Sequence, residues 1–447
     1  MEMMMTIKFN DVVKLAAARH TLPCVRSIVF DGKSAMCVAP LDWVVGVPCL
    51  QPALTEPVVV PVAAVQAHLL KSRHLVVMPD HLSNGQGLVT PFNAGKIDYS
   101  PVLDMLPKPP QGDAVSFDLE LNALDRVLIA AGEQDIRYYL NGVLFDLTNG
   151  MLVGTDGHRL HCYRNRVPMA FKRKVKRGVP VSAVVEVIVG RDPLRWIVGS
   201  SSAGAKVTIW DAQRSEKIQN QSPAQILLQT DDAFVWVRKA IEGRFPDFAR
   251  VIPAVTSRPV WMQIDPVKLA DTMSAMGKVA LLKSEGKYSW VLVDFGKGEV
   301  SLDGEGMPIA VNLASDLDGI DLESLADDLW IGVNAPYLQD VADCVTPAAQ
   351  WRVDHTNCRN QSLLVTDGDF SGVVMPCRID GPVKVAPVAQ DAPEEPETAP
   401  AEPCPAAVAA LVAQVVDKAQ ESAKKAPRKA RKAAPVAQIV QAEPVAA

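Results

Sequence analysis

The apolar and polar positions of this chain repeat one arrangement three times. Apolar residues recur at helical spacing over 10–19 (Val12, Leu15, Ala16), 121–131 (Leu124, Val127, Leu128) and 266–276. After each helix come two short β-prone runs around a turn dipeptide. Asp31-Gly32 lies between 27–30 and 35–38, Asn149-Gly150 between 144–147 and 151–153, and Lys297-Gly298 between 290–293 and 299–302. Asn-Gly and Asp-Gly suit the positive φ of tight hairpin turns, and Lys-Gly supplies the glycine alone. A second helix start follows each sheet region: Val60-Pro61-Val62-Ala63-Ala64-Val65, Val179-Pro180-Val181-Ser182-Ala183-Val184 and, more loosely, Val333-Asn334-Ala335-Pro336-Tyr337-Leu338. Asp98-Tyr99-Ser100-Pro101 with Leu106-Pro107, and Arg244-Phe245-Pro246-Asp247 with Ile252-Pro253, close the first two copies. Repeats of this size are whole domains rather than solenoid units. The pattern predicts an α+β protein of three similar domains, 1–112, 113–252 and 253–380.

Beyond residue 380 the pattern stops. Residues 381–447 are rich in Ala and Pro, acidic at first (Glu394, Glu395, Glu397, Glu402) and then basic (Lys424, Lys425, Arg428, Lys429, Arg431, Lys432). Such a composition predicts a disordered tail with a marginal Ala-rich helix over 405–421. Its role is either spacing or weak contact with DNA or an acidic partner. The rest is amply apolar: 48% of the 447 residues are hydrophobic, enough for several cores. No apolar run reaches membrane-spanning length, and the start MEMMMTIKFND lacks the basic-then-apolar order of a secretory signal. Eight scattered cysteines without a CxxC pair suit reduced thiols in a cytoplasm. A net charge of -6 argues against a uniformly basic nucleic-acid binder, but permits one whose charge is segregated by face.

Asp156, His158, His161 and Cys162 lie close in sequence, as do His355 and Cys358, yet neither group has a second cluster at zinc spacing. Walker, GxSxG and HExxH motifs are absent. No catalytic residue, metal or cofactor is expected. Gln134, Arg137, Tyr138 and Tyr139 fall on a loop after the 121–131 helix, and Lys172, Arg173, Lys174, Lys176 and Arg177 form a basic run. Arginine pairs with phosphate and tyrosine packs on sugars or exposed bases. On residue type alone, one core tyrosine, a solvated Arg137 and a solvated basic loop are the better explanation of these positions.

Three strings change that balance. Arg137-Tyr138-Tyr139-Leu140-Asn141-Gly142 leads to Thr155-Asp156-Gly157-His158-Arg159-Leu160. Gly243-Arg244-Phe245-Pro246-Asp247-Phe248 runs on to Arg250-Val251-Ile252-Pro253, and Val373-Val374-Met375-Pro376-Cys377-Arg378-Ile379 comes last. In this order and spacing the chain resembles the bacterial sliding clamp family, the beta subunit of DNA polymerase III. The resemblance is strong over 119–379, weaker over the first hundred residues and absent after Asp380. It implies a non-catalytic processivity factor in the cytoplasm. Two subunits would join head to tail in a ring, helices inside and antiparallel sheets outside, around duplex DNA of any sequence. The implied partners are that DNA, the replicative polymerase, a clamp loader and a second copy of the chain, with no membrane.

The resemblance also distributes the residues. DNA contact falls to Arg19, Gln134, Arg137, Tyr138, Tyr139 and the basic run Lys172, Arg173, Lys174, Lys176 and Arg177. A peptide-binding groove takes Leu140, Thr155, Gly157, His158, Arg159, Leu160, Pro246, Arg250, Val251, Val373, Val374, Met375, Pro376, Cys377, Arg378 and Ile379. Leu160, Val251, Val374 and Met375 are its expected slot, and His158 and Arg159 its polar hooks. Tyr99, Leu281 and Leu282 are the expected subunit interface. Two departures stand out: Cys377 replaces the family's usual methionine, and the chain continues past Ile379, where the family's chain ends. Two alternatives carry less of the sequence. One is a divergent phage- or plasmid-encoded relative that binds clamp partners without encircling DNA; the other is a non-catalytic β-rich scaffold. Because the tail lacks the apolar variety to build a core, truncation after Ile379 is expected to leave the assembly state by light scattering unchanged, and a shift to monomer would place the tail in the interface.

Overall fold

The three turn dipeptides initiate hairpins, with Gly32, Gly150 and Gly298 at φ 86°, 69° and 64°. The computed structural model describes residues 7–18, 22–39, 43–51, 54–92, 97–110, 114–165, 186–199, 204–210, 224–253, 259–302, 305–314, 329–354 and 358–378. They belong to a compact unit, Met1–Val383; a second unit, Lys384–Ala447, lies wholly outside the described residues.

In the first set of elements, α1 (Ile7–Ala17) presses Phe9, Val12, Val13 and Ala16 onto β1 (Ser27–Phe30), β2 (Ser34–Ala39) and β3 (Trp43–Pro48). β4 (Val58–Pro61) pairs with β1 and runs directly into α2 (Val62–Leu69). A small sheet of β5 (Val76–Val77), β6 (His81–Ser83) and β7 (Val89–Pro91) follows, then the short α3 (Ser100–Asp104). The second set is β8 (Ala114–Glu120), α4 (Leu121–Leu128), β9 (Gly142–Asp146), β10 (Met151–Thr155), β11 (Arg159–Arg164), β12 (Glu186–Gly190), α5 (Arg191–Val198), β13 (Gly204–Trp210), β14 (Gln225–Gln229) and β15 (Phe234–Val237). The third is β16 (Pro259–Ile264), α6 (Pro266–Lys283), β17 (Trp290–Asp294), β18 (Glu299–Leu302), β19 (Glu305–Pro308), β20 (Val311–Ala314), β21 (Trp330–Asn334), α7 (Ala335–Asp343), β22 (Gln350–Asp354), β23 (Leu363–Asp367) and β24 (Phe370–Val374).

The repeat extends to topology. β4-β1-β2-β3, β12-β9-β10-β11 and β21-β17-β18-β19 share one antiparallel strand order, and in each the first strand runs straight into a helix. The second such helix is one the sequence reading did not mark. It is α5 after β12, whereas 179–184, which was read as a helix start, lies outside the described residues. α6 also runs past the expected Met276 to Lys283, through Gly277, whose missing Cβ makes room for Ala335 of α7, and stops before Glu285 and Gly286, both at positive φ. Its start is fixed by Asp265, whose carboxylate accepts from the amides of Val267 (3.0 Å) and Lys268 (3.3 Å), with Pro266 in the first turn.

Two strand pairings fuse the sets into larger sheets. β3 pairs with β15 (Trp43↔Val237 to Gly46↔Phe234) in an eight-stranded sheet. β11 pairs with β24 (Arg159↔Val374 to Tyr163↔Phe370) in a nine-stranded one. Beside the second joint, His161 of β11 is fully buried. Its Nδ1 donates to the Arg126 carbonyl of α4 at 2.6 Å, and its ring meets Phe370 edge-on at 5.3 Å. The Arg126 guanidinium lies over the Phe370 face at 4.3 Å and pairs with Asp367 at 3.0 Å.

Burial pushes the His161 pKa down to about 4, the Arg126 carbonyl opposing and nearby Arg159 adding to the shift. A base whose folded pKa is depressed is not destabilising above its unfolded value of about 6.5; between there and 4 the unfolded chain binds the extra proton. Stability is therefore expected to fall with pH across that window, by up to about 1.4 kcal/mol per unit from this group. Denaturant titrations of His161→Gln and the parent between pH 6.5 and 5 are expected to differ in slope by that amount.

Candidate functional site

The turn between β10 and β11 is built by its own side chains. The Asp156 carboxylate accepts from the amides of His158 (2.9 Å) and Arg159 (3.0 Å). Thr155 Oγ1 accepts from the Gly157 amide (3.1 Å) and donates to the Arg159 carbonyl (2.6 Å). Gly157 sits at φ 89°, and a Cβ there would meet the Arg137 guanidinium. The positive φ favours glycine here, and a Cβ would also displace the end of the flexible Arg137 side chain. The Met375 amide donates to the His158 carbonyl at 3.0 Å, extending the β24 strand along this turn.

Alternation along β11 and β24 sends Leu160, Cys162 and Val373 to one face, among Leu140, Ile188, Phe245 and Leu364. His161 and Val374 go to the other, helix-covered face. On the first face the helical turns Tyr138–Leu140 and Phe248–Arg250 leave a cleft of about 160 Å³. It is lined by Arg137, Tyr139, Leu140, Thr155, Gly157, Arg159, Leu160, Pro246, Phe248, Val251, Val373 and Met375. The lining is mostly apolar, and its Met375 rim is partly exposed, with Ser362 Oγ donating to Sδ at 3.2 Å. Such a surface accommodates aliphatic or aromatic side chains of an extended ligand.

Nine of the sixteen expected groove residues meet here. Val374, an expected slot residue, does not; it is buried in the core beneath the helices. Pro376, Cys377 and Arg378 also stay off the lining, because the Cys377 amide donates to the Gly332 carbonyl at 2.7 Å and draws the segment toward β21. Burial raises the Cys377 thiol pKa. Arg250 points to solvent and pairs with Asp247 at 2.8 Å. His158 stands at the rim, stacked on Tyr337 of α7 at 5.9 Å and 15°. Arg159, the other expected hook, is engaged internally. It donates from Nε to Asp156 (3.1 Å), from Nη1 to Asp340 and from Nη2 to the Ile129 carbonyl (3.0 Å).

The expected DNA residues separate. Arg137 and Tyr139 line the cleft, while Tyr138 is exposed and packs edge-on against Tyr139 at 5.8 Å. Arg137 forms a two-point contact with Asp135 (3.1 and 2.7 Å) and donates to the Asp156 carbonyl (2.9 Å). Those bonds hold the Asp135 carboxyl down at about 2. A phosphate would have to compete with this pair for Arg137. Gln134 occupies the loop tip at φ 55°. Arg19, the basic run 172–177 and Ile379 lie outside the described residues. Of the expected interface set, Leu281 and Leu282 are exposed near the end of α6, close in sequence to a stacked, exposed Tyr288–Trp290 pair. Tyr99 is instead buried among Cys24, Val102, Trp210 and Trp236. His161 and Cys162 fall on opposite faces of β11 and do not converge.

Three contributors escaped the sequence reading. Phe248 closes a string that was quoted without being assigned to the groove, and Tyr337 lies in the third helix-start string. Asp340 left no local signal.

Residues 116–247 match the family model of the DNA polymerase III beta subunit, central domain. The beta sliding clamp of Vibrio cholerae is 27% identical over 267 residues, 57% of this chain and 62% of that protein; the Escherichia coli K12 beta sliding clamp is 25% identical over 269 residues. The chain is thus similar to beta sliding clamps and carries a match to their central domain over 116–247. Its alignment spans about three fifths of the length of these relatives, 62% and 59%. Solved sliding clamps share the fold. A Pseudomonas aeruginosa structure superposes with TM-score 0.57 at 21% identity, covering 83% of this chain and 98% of the other. A Thermotoga maritima beta subunit gives 0.56 at 16%, covering 84% and 98%. A further Pseudomonas aeruginosa clamp was solved bound to griselimycin.

Proposed function

We propose that this protein is a DNA sliding clamp, a non-catalytic processivity factor needing no cofactor. Its domains are 1–112, 113–252 and 253–380. Two copies close head to tail around duplex DNA, since a heterologous contact that closes makes a ring. Leu281 and Leu282 belong to that contact. Tyr99 acts only from the interior, in a cluster that includes Trp210 and Trp236 of the second domain. Encirclement needs few, exchangeable phosphate contacts, and these fall to the basic run 172–177, Arg19 and the loop carrying Gln134 and Tyr138. The replicative polymerase and a clamp loader are tethered through the cleft, which raises their effective concentration at the primer end.

The observation that carries this reading is the meeting of three separate motif strings in one apolar cleft. Leu140 and Leu160 come from the first string, Pro246 and Val251 from the second, and Val373 and Met375 from the third. Griselimycin is the probe of choice, by likeness to the Pseudomonas aeruginosa clamp. Calorimetric titration is expected to give saturable one-to-one binding to the parent chain. Met375→Ala, at a partly exposed rim position, removes one apolar contact without disturbing the core. It is expected to weaken binding about tenfold with the melting temperature unchanged. Equal affinity in both proteins would remove the ligand from this cleft.

A further inference from the structure

Arg159 stands at an unusual crossing. It lines the cleft, yet its side chain is only 11% exposed, and each of its three nitrogens donates to a protein acceptor. Two of those acceptors, Asp156 and the Ile129 carbonyl, belong to the second set of elements. The third, Asp340, lies on α7 of the third set, 181 residues away in sequence. Tyr337 sits three residues earlier on the same helix, hence on the same face, and places its ring 4.7 Å from the Arg159 guanidinium carbon. The helix therefore presents a cradle of one carboxylate and one aromatic face, and the guanidinium rests in it.

We infer that Asp340 is a positioning residue of the cleft, acting through Arg159, and that it sets the affinity of ligands bound there. The inference deepens the reading of the cleft as a binding site and rests on it. Asp340 is the only one of Arg159's three acceptors that reaches it from α7. Asp156 serves other donors: its Oδ1 accepts the His158 and Arg159 amides and its Oδ2 the Arg159 Nε, which leaves Nη1 to Asp340. Without the charge on Asp340, the guanidinium keeps Asp156 and is drawn toward the solvent side of that turn. It leaves the Tyr337 ring and takes the cleft wall with it. Taking one of its two carboxylates from a nearly buried cation is costly. The partial exposure of the Asp340 side chain, 34%, tempers the loss.

Two measurements on the full chain separate positioning from general stability. The first is ligand-free: hydrogen exchange at the His158 and Arg159 amides. In Asp340→Asn, exchange at these amides is expected to accelerate about tenfold, while amides of β13 and β14 stay as in the parent. The second is griselimycin calorimetry, in which Asp340→Asn is expected to bind about tenfold more weakly. Asp340→Glu, which keeps the charge, is expected to recover most of both effects; a purely steric role would not be rescued. Unchanged exchange at His158 and Arg159 in Asp340→Asn overturns the inference, as does a loss in Asp340→Glu equal to that in Asp340→Asn. A parent chain that takes up no griselimycin strikes the binding reading instead, and the exchange measurement still decides what Asp340 does.

Discussion

The register of β11 against β24 governs the candidate site. Leu160 stands opposite Val373, His161 opposite Gly372 and Arg159 opposite Val374. A slip of one residue would exchange the two faces of β24. Val374 would then enter the cleft and Val373 would be driven under the helices. The register is held on both faces at once: by the packing of Leu160, Cys162 and Val373 on the cleft side, and on the other by Arg126 and His161 gripping Phe370. Strings more than two hundred residues apart become one surface only because these two strands lie side by side.

That dependence explains which features were legible in the sequence. Hairpins marked by Asp-Gly, Asn-Gly and Lys-Gly were readable because the turn itself demands positive φ. The α+β class followed from the alternation of such hairpins with helical spacing. All twelve lining residues fall in the motif strings, nine of them assigned to the groove from the sequence, since each string supplies a contiguous edge. What failed was facing and pairing. Val374 and Met375 are neighbours in one string, yet strand alternation separates them. Tyr99, an aromatic in a polar context, is held by two tryptophans from other strands. The second strand-to-helix passage at 186–198 was overlooked because Val179-Pro180-Val181 imitates Val60-Pro61-Val62 more closely in composition. Asp340 was invisible because its partner is remote, and an aspartate on an exposed helix usually has none.

Four arginines of the second set are engaged in internal pairs. Arg126 binds Asp367, Arg137 binds Asp135, Arg159 binds Asp156 and Asp340, and Arg191 donates to the Ala131 carbonyl at 3.1 Å and pairs with Glu133 at 3.3 Å. Each pair neutralises a cation locally, in keeping with an acidic chain. In the proposed ring, DNA contact would rest on encirclement more than on affinity, and so on topology rather than on a high density of basic contacts.

Retention on closed against open DNA tests that claim most directly. The full chain would be loaded by a clamp loader onto a nicked circular plasmid and onto the same plasmid linearised, at one salt concentration, and the bound fraction followed in time. The account predicts that the chain stays on the circle long after it has left the linear form by its free ends. Equal loss from both would contradict it.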